Sequence, residues 1–501
     1  MDKRGSGLLL HISSLPSPYG IGDFGPRAFE FADFIKKSKQ RFWQILPLNP
    51  TNAGTDYSPY LSQSAFAMNP LLLSADILQR DGLLLEHECA KRPEFPETNI
   101  EFDTIVSFKK LLFRKAFDRF KKLTDFEEFR GYCEVNGYWL NDYALFVSLK
   151  THFDEKSWVE WPAPYRDRDP ETLENAKNDL ADDIYYEKFL QYQLYKQWMD
   201  LKHYCSERNI QFVGDLPIYV AHDSVDVWAN TDKFKLKENK QPHFVAGVPP
   251  DYFSETGQLW GTPVYNWDAM SHDGYSWWHS RMAHNLHLFD IVRIDHFRGF
   301  VAYWQVDASE DTAINGTWIQ APARDFFRQL RNRFPDLPII AEDLGLITPD
   351  VIDVMHEFAL PGMKVIMFAF SEDIEHNPHI PFNLRTNSFF YTGTHDNNTL
   401  QGWYYHEIDE KERERVIRYL GKKPQRKELH WTFIRCAMQS VANTVVFPVQ
   451  DVLGLGEEHR MNNPSKRSGN WRWRMPDGHL DDELAEKLAD MVEIYGRTGQ
   501  Q

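Results

Sequence analysis

The chain has 501 residues, 42% of them hydrophobic, enough to bury a large core as several domains or as one decorated barrel. Its 56 basic residues are outnumbered by 73 acidic ones, a formal charge of −17. That balance argues against nucleic acid and against an anionic membrane as partners, whereas a neutral substrate is indifferent to it.

At the N-terminus only Leu8, Leu9 and Leu10 run together, far short of the about 7–15 apolar residues of a secretory signal. No run approaches the roughly 20 apolar residues of a membrane span. Cys89, Cys133, Cys205 and Cys436 are far apart and form no CxxC pair, so neither a disulfide framework nor local zinc or redox chemistry is expected. The expectation is a cytoplasmic protein, monomer or homodimer.

Eight short apolar or β-branched runs follow one another: Gly7–Leu10, Trp43–Leu48, Phe212–Asp215, Ile291–Asp295, Ile339–Asp343, Lys364–Phe368, Phe389–Asp396 and Val445–Asp451. Between most of them the apolar spacing is helical, as over Pro26–Lys37, Tyr186–Arg208, Ala323–Phe334 and Pro349–Phe358, the last with Thr348 as its N-cap. Strands alternating with helices imply a parallel sheet, and eight of them suggest an α/β fold closed as a (β/α)8 TIM barrel. Two connections are too long for one crossover helix. The first predicts a mainly helical insertion over about 71–188, with helices over Phe108–Lys122 and Gly137–Lys150; the second, over about 218–285, is rich in Gly, Pro and aromatics. The whole chain, 1–501, reads as a single catalytic barrel.

Several predicted strands end in a carboxylate: Asp215, Asp295, Glu342 with Asp343, Asp396 and Asp451. In a barrel the C-terminal strand ends ring one face, so residues far apart in sequence converge there. An Asp after a strand also caps helices and makes turns, which is its ordinary role. His11, His296 and His395 near the same ends leave a hydrolytic metal site open as an alternative. Retaining glycosyl transfer asks for one carboxylate as nucleophile and another as acid/base. Arg293 shares a strand face with Asp295 and would keep it ionised. The apolar run Ile339-Ile340-Ala341 would raise the Glu342 pKa toward that of a general acid. Asp343 points the other way, and His395 and Asp396 could hydrogen-bond sugar hydroxyls.

Four ordered motifs carry a resemblance: Gly214-Asp215-Leu216-Pro217-Ile218-Tyr219-Val220, Arg293-Ile294-Asp295-His296-Phe297-Arg298-Gly299-Phe300, Ala341-Glu342-Asp343-Leu344-Gly345 and Gly393-Thr394-His395-Asp396-Asn397. With them the sequence resembles the amylomaltases, the 4-α-glucanotransferases of glycoside hydrolase family 77, relatives of the α-amylases. The resemblance implies Asp295 as nucleophile, Glu342 as acid/base and Asp396 as transition-state stabiliser. It assigns Asp215, Arg293, His395 and Asn397 to substrate subsites, with no metal and no cofactor. The stretch from Leu46 to Tyr60 resembles a family loop of glucan contacts, with Asp56, Ser58 and above all Tyr60 as candidates. Residues 247–260 resemble a lid over the cleft, where Pro249-Pro250 stiffens the chain and Tyr252, Phe253 and Trp260 offer flat faces. Most of the 35 Phe, 16 Trp and 22 Tyr must nonetheless be core. After Arg460-Met461-Asn462 the chain reads Asn463-Pro464-Ser465, where the family more usually has Pro-Gly. The implied substrates are α-1,4-glucans such as maltooligosaccharides, starch or glycogen, with an amylase-like hydrolase as the alternative. A binding protein on a dead barrel would be expected to have lost one of the three acids.

Overall fold

The structure, a computed structural model, describes residues 3–250 and 254–499. Along these residues run the strands β1 (Gly5–Leu9), β2 (Phe42–Gln44), β3 (Gln211–Leu216), β4 (Phe244–Val248), β5 (Gln258–Pro263), β6 (Ile291–Ile294), β7 (Ala302–Asp307), β8 (Gly316–Gln320), β9 (Ile339–Ala341), β10 (Gly362–Val365), β11 (Ser388–Tyr391) and β12 (Thr444–Pro448). Eight of them close into a parallel barrel in the order β1-β12-β11-β10-β9-β6-β3-β2. Every one of the eight sequence runs supplies one barrel strand. These strands are buried on both faces, which is why they read as apolar runs rather than as alternation.

Helices clad the barrel where the sequence spacing places them, including Pro26–Lys37, Ala181–Glu207, Ala323–Arg333 and Pro349–Glu357. Aromatic contacts fix them to the strands. Trp43 of β2 meets Phe31 edge-on at 4.7 Å, and Trp198 sits 4.6 Å from Phe212 of β3. Thr348 does occupy the N-cap of the Pro349–Glu357 helix, but its hydroxyl makes no capping bond; it accepts from Arg298 Nη1 at 2.8 Å instead.

Between β2 and β3 the helices Phe102–Phe120, Glu127–Val135, Gly137–His152 and Pro170–Asp179 pack against Ala181–Glu207. Phe117, Phe120, Phe129, Tyr185 and Phe189 form their aromatic core.

The region around 218–285 carries two strands of a second sheet. Its β4 and β5 join β7 and β8 in a four-stranded antiparallel sheet ordered β5-β4-β7-β8. Half of that sheet therefore comes from 302–320, beyond the expected boundary. β5 runs from an exposed to a buried end and lacks an apolar alternation, so its pairing leaves little trace in its own sequence. Of the expected lid, Gly247 and Val248 end β4, and Gln258 to Trp260 begin β5, its antiparallel partner.

At the opposite end of the barrel, Arg497 is fully buried and donates to the carbonyls of Met438, Gly5, Ala442 and Ser440. Among the described residues no helix is long and apolar enough to cross a membrane.

Candidate active site

The C-terminal ends of the strands open onto a cleft of about 1310 Å³, whose walls include Asp295, Glu342 and Asp396. Strand register brings the first two together. β6 pairs with β9 so that Ile294 stands opposite Ala341, and the next residues, Asp295 and Glu342, emerge side by side. Neighbouring strands lie about 4.8 Å apart, so these two carboxylates share one end of the cleft by construction. The ladder continues past the strand ends: Glu342 N donates to Ile294 O at 3.1 Å, and Phe297 N to Glu342 O at 3.1 Å.

The turn after Asp295 is built for Glu342. His296 adopts a left-handed φ of 47°, uncommon for a residue with a side chain. Its amide N–H donates to Glu342 Oε2 at 2.7 Å, while Leu344 N–H donates to Oε1 at 2.9 Å. Arg298 holds the following loop by donating to Leu346 O at 2.9 Å and lies over the Trp318 ring. Asp343 faces away, accepting from Met363 N and pairing with Lys364.

Arg293 sits in the barrel beneath Asp295. Its Nη1 donates to Asp215 Oδ1 at 2.7 Å, to Asp215 Oδ2 at 2.8 Å and to Asp295 Oδ1 at 3.0 Å. Tyr60 OH donates to Asp215 Oδ2 at 2.7 Å. Asp215 is therefore saturated and only 2% exposed, behind the cleft wall rather than on it. It anchors both Arg293 and Tyr60.

Burial pushes the Asp295 carboxyl up to about 6, against the pull of Arg293 and with a further rise from the Asp215 and Asp396 charges. Here the expected effect of Arg293 is only partial, because its guanidinium is shared with Asp215. Burial also pushes Glu342 up to about 7, opposed by Arg293 and the two backbone N–H groups and reinforced by Asp295. The two carboxylates titrate as a pair, and Glu342, with no cation among the described residues at hydrogen-bonding distance, keeps the proton longer.

Asp396 behaves oppositely. Burial works to raise it, but His395, Asn462 and Arg293 outweigh burial and hold it below the usual carboxylate range. His395 Nε2 lies 3.3 Å from Asp396 Oδ2, and Asn462 Nδ2 donates to Oδ1 at 2.6 Å. His395 is itself raised: burial opposes its charge, and Asp396 favours it more strongly.

The remaining candidates fall into three groups. Tyr60 lines the cleft with its ring stacked on His395, centroids 5.1 Å apart, and Trp471 leans on both. Asp56 and Ser58 also line it, but each is partly engaged, Asp56 Oδ2 accepting from Asn470 N and Ser58 Oγ from Tyr60 N. Asn397 lines it too, and its amide oxygen closes the turn from Thr394 at 2.8 Å. Trp260 reaches the cleft from β5 and meets the His296 ring edge-on at 4.8 Å. Tyr252 and Phe253 lie outside the described residues. Among those described, no group of three or more His, Cys, Asp or Glu is disposed to hold a metal ion. His11 Nδ1 instead accepts from Leu46 N at 3.3 Å.

Sequence reasoning did not assign roles to Arg298, which sits inside the second motif, or to Arg460 and Asn462, which precede the Asn463-Pro464-Ser465 turn. The Asn463-Pro464-Ser465 turn closes without glycine because Asn463 Oδ1 accepts from both Ser465 N and Ser465 Oγ.

Comparisons with known proteins point to one family. A sequence-family profile described as 4-alpha-glucanotransferase, glycoside hydrolase family 77, matches residues 10–481. A Synechocystis protein named 4-alpha-glucanotransferase is 46% identical across 99% of both chains. One of the same name from Aquifex aeolicus is 42% identical, again across 99% of both. Among solved structures, an amylomaltase from Streptococcus agalactiae in complex with acarbose superposes with a TM-score of 0.95 at 36% identity, covering 99% of this chain and 100% of that one.

Proposed function

This chain belongs to the 4-alpha-glucanotransferase family, and we propose that it moves α-1,4-glucan segments by a two-step retaining exchange through a glycosyl ester on Asp295. Ionised Asp295 attacks the anomeric carbon of the bound donor as Glu342 gives its proton to the departing glycosidic oxygen. The C–O bond to the leaving glucan breaks, and an ester forms at Asp295. An acceptor 4-hydroxyl, from another glucan or from glucose, then loses its proton to Glu342 and attacks the same carbon. The ester bond breaks, Asp295 regains its charge, and the α-linkage is restored after two inversions. Asp396, held ionised, steadies the positive charge on the sugar ring between these steps. Both proton and nucleophile roles are filled by side chains, so the exchange requires neither metal nor organic cofactor.

Support comes above all from the register of β6 and β9, which sets Asp295 and Glu342 side by side in one cleft with Glu342 the later to ionise. Transfer over hydrolysis requires the ester to meet a sugar before water, and Trp260, reaching the cleft from β5, is the residue suited to shield it.

Two measurements test this. Maltotriose should yield free glucose together with a ladder of longer oligomers; glucose and maltose alone would replace transfer by hydrolysis. Treating Glu342→Gln with an α-maltosyl fluoride should add a maltosyl mass to the peptide that carries Asp295. Modification elsewhere, or products of inverted configuration, would overturn the covalent route.

A further inference from the structure

We propose that Asn462 is a positioning residue for Asp396, and that the segment 460–472 is a brace holding that acid in place for reaction. The proposal rests on the reading of Asp396 given above.

Asp396 follows β11 by five residues, so no strand ladder orients it. Its side chain is 42% exposed to the cleft, and only two side chains among the described residues grip its carboxylate. The bond from His395 is long, at 3.3 Å, whereas Asn462 Nδ2 donates to Oδ1 at 2.6 Å. Asn462 is 8% exposed and is pinned on its own account. Its backbone N–H donates to His395 O at 3.1 Å, and its carbonyl accepts from Arg460 Nε at 2.5 Å. Arg460 closes the ring by donating from Nη2 to Asp396 O at 2.6 Å. The charged groups acting on Asp396 are thus His395, Arg460 and, from the barrel floor, Arg293 and Asp295.

The far end of the segment is fastened as well. Trp471 N donates to Met461 O at 2.8 Å, and the Trp471 ring packs on His395 and Tyr60. Asn470 N and Arg472 both reach Asp56, at 3.3 and 3.6 Å. The segment is therefore pinned at both ends. Loss of the Asn462 amide leaves the Asp396 carboxylate on one long bond, free to turn about its last torsion.

The test is a set of four variants assayed on maltotriose: Asn462→Ala, Asn462→Asp, Asp396→Ala and Asn462→Ala with Asp396→Ala. Asn462→Ala should lower kcat about 10- to 100-fold, the loss of one hydrogen bond to a charged group, with KM little changed. Asn462→Asp, although closer in shape, should be slower still at pH 7, because it replaces a donor by a like charge. A purely structural role predicts the reverse order, and that order would overturn the proposal. In the Asp396→Ala background, Asn462→Ala should cost almost nothing more, since its partner is gone. Full multiplication of the two losses would mean that Asn462 works through contacts of its own, and would likewise overturn positioning. If Asp396→Ala alone retains normal turnover, it is the reading of Asp396 that fails. Thermal midpoints within a few degrees of the parent identify variants that remain folded.

Discussion

Replacing Arg293 by Met removes the cation that faces Asp215 at 2.7 Å and Asp295 at 3.0 Å. At 3.0 Å and an effective dielectric of about 20, the attraction between the guanidinium and Asp295 is about 5.5 kcal/mol, or about 4 pH units. Asp295 is 27% open to the cleft and shares the guanidinium with Asp215, so about half of that is a fair expectation. Removing a cation raises a carboxyl pKa, so Asp295, now near 6, should titrate about 2 units higher. Arg293 is also the main charge holding Glu342 down, so Glu342, now about 7, should rise with it and stay protonated over the same range. The reactive form needs Asp295 ionised and Glu342 protonated, so the acid limb of kcat/KM should move upward by about 2 pH units. At pH 7 the ionised share of Asp295 falls to about a tenth, and lost positioning should bring the total loss to about 100-fold. Glucose release from maltotriose, followed from pH 4.5 to 9, reads both quantities. Arg293→Lys keeps the charge without the fork, so its acid limb should stay put while the rate falls. A Met variant whose profile is lowered uniformly, with its acid limb still near pH 6, would refute the assigned role.

Glu342→Gln should lose about 10²- to 10⁴-fold on maltotriose and lack the alkaline limb near pH 7; with a glycosyl fluoride, which leaves without a proton, formation of the ester should recover. Trp260→Ala removes the ring edge-on to His296 and should raise the share of hydrolysis several-fold, read as the ratio of reducing ends gained to glucose transferred; an unchanged ratio refutes shielding by this residue. Arg497→Ala leaves several buried carbonyls without a donor and should cost about 3–5 kcal/mol, lowering the thermal midpoint by about 3–5 °C while leaving kcat at 25 °C near the parental value.

Much of the site was legible in the chain because parallel barrel strands, buried on both faces, stand out as apolar runs. A period of two along β6 places Arg293 and Asp295 on one side without any tertiary information. The helical spacing over Pro26–Lys37 matches the observed helix end for end. The antiparallel sheet was not legible, since β4 finds its partner β7 across the intervening barrel strand β6, and β5 carries no apolar alternation.

The sequence by itself determined that five apolar runs lead into acids and that four motifs stand in order, because strand and helix periods are local properties of the chain. Only the folded molecule decided how those acids differ. Asp215 withdraws behind Arg293, Asp451 is consumed by Thr392 and the Leu400 amide, and Asp396 is held by Asn462, 66 residues further along the chain. A carboxylate's role depends on which charges and donors stand within about 4 Å of it and on how much water remains. In a closed barrel those neighbours come from other strands, so the division of labour among identical side chains is settled by packing.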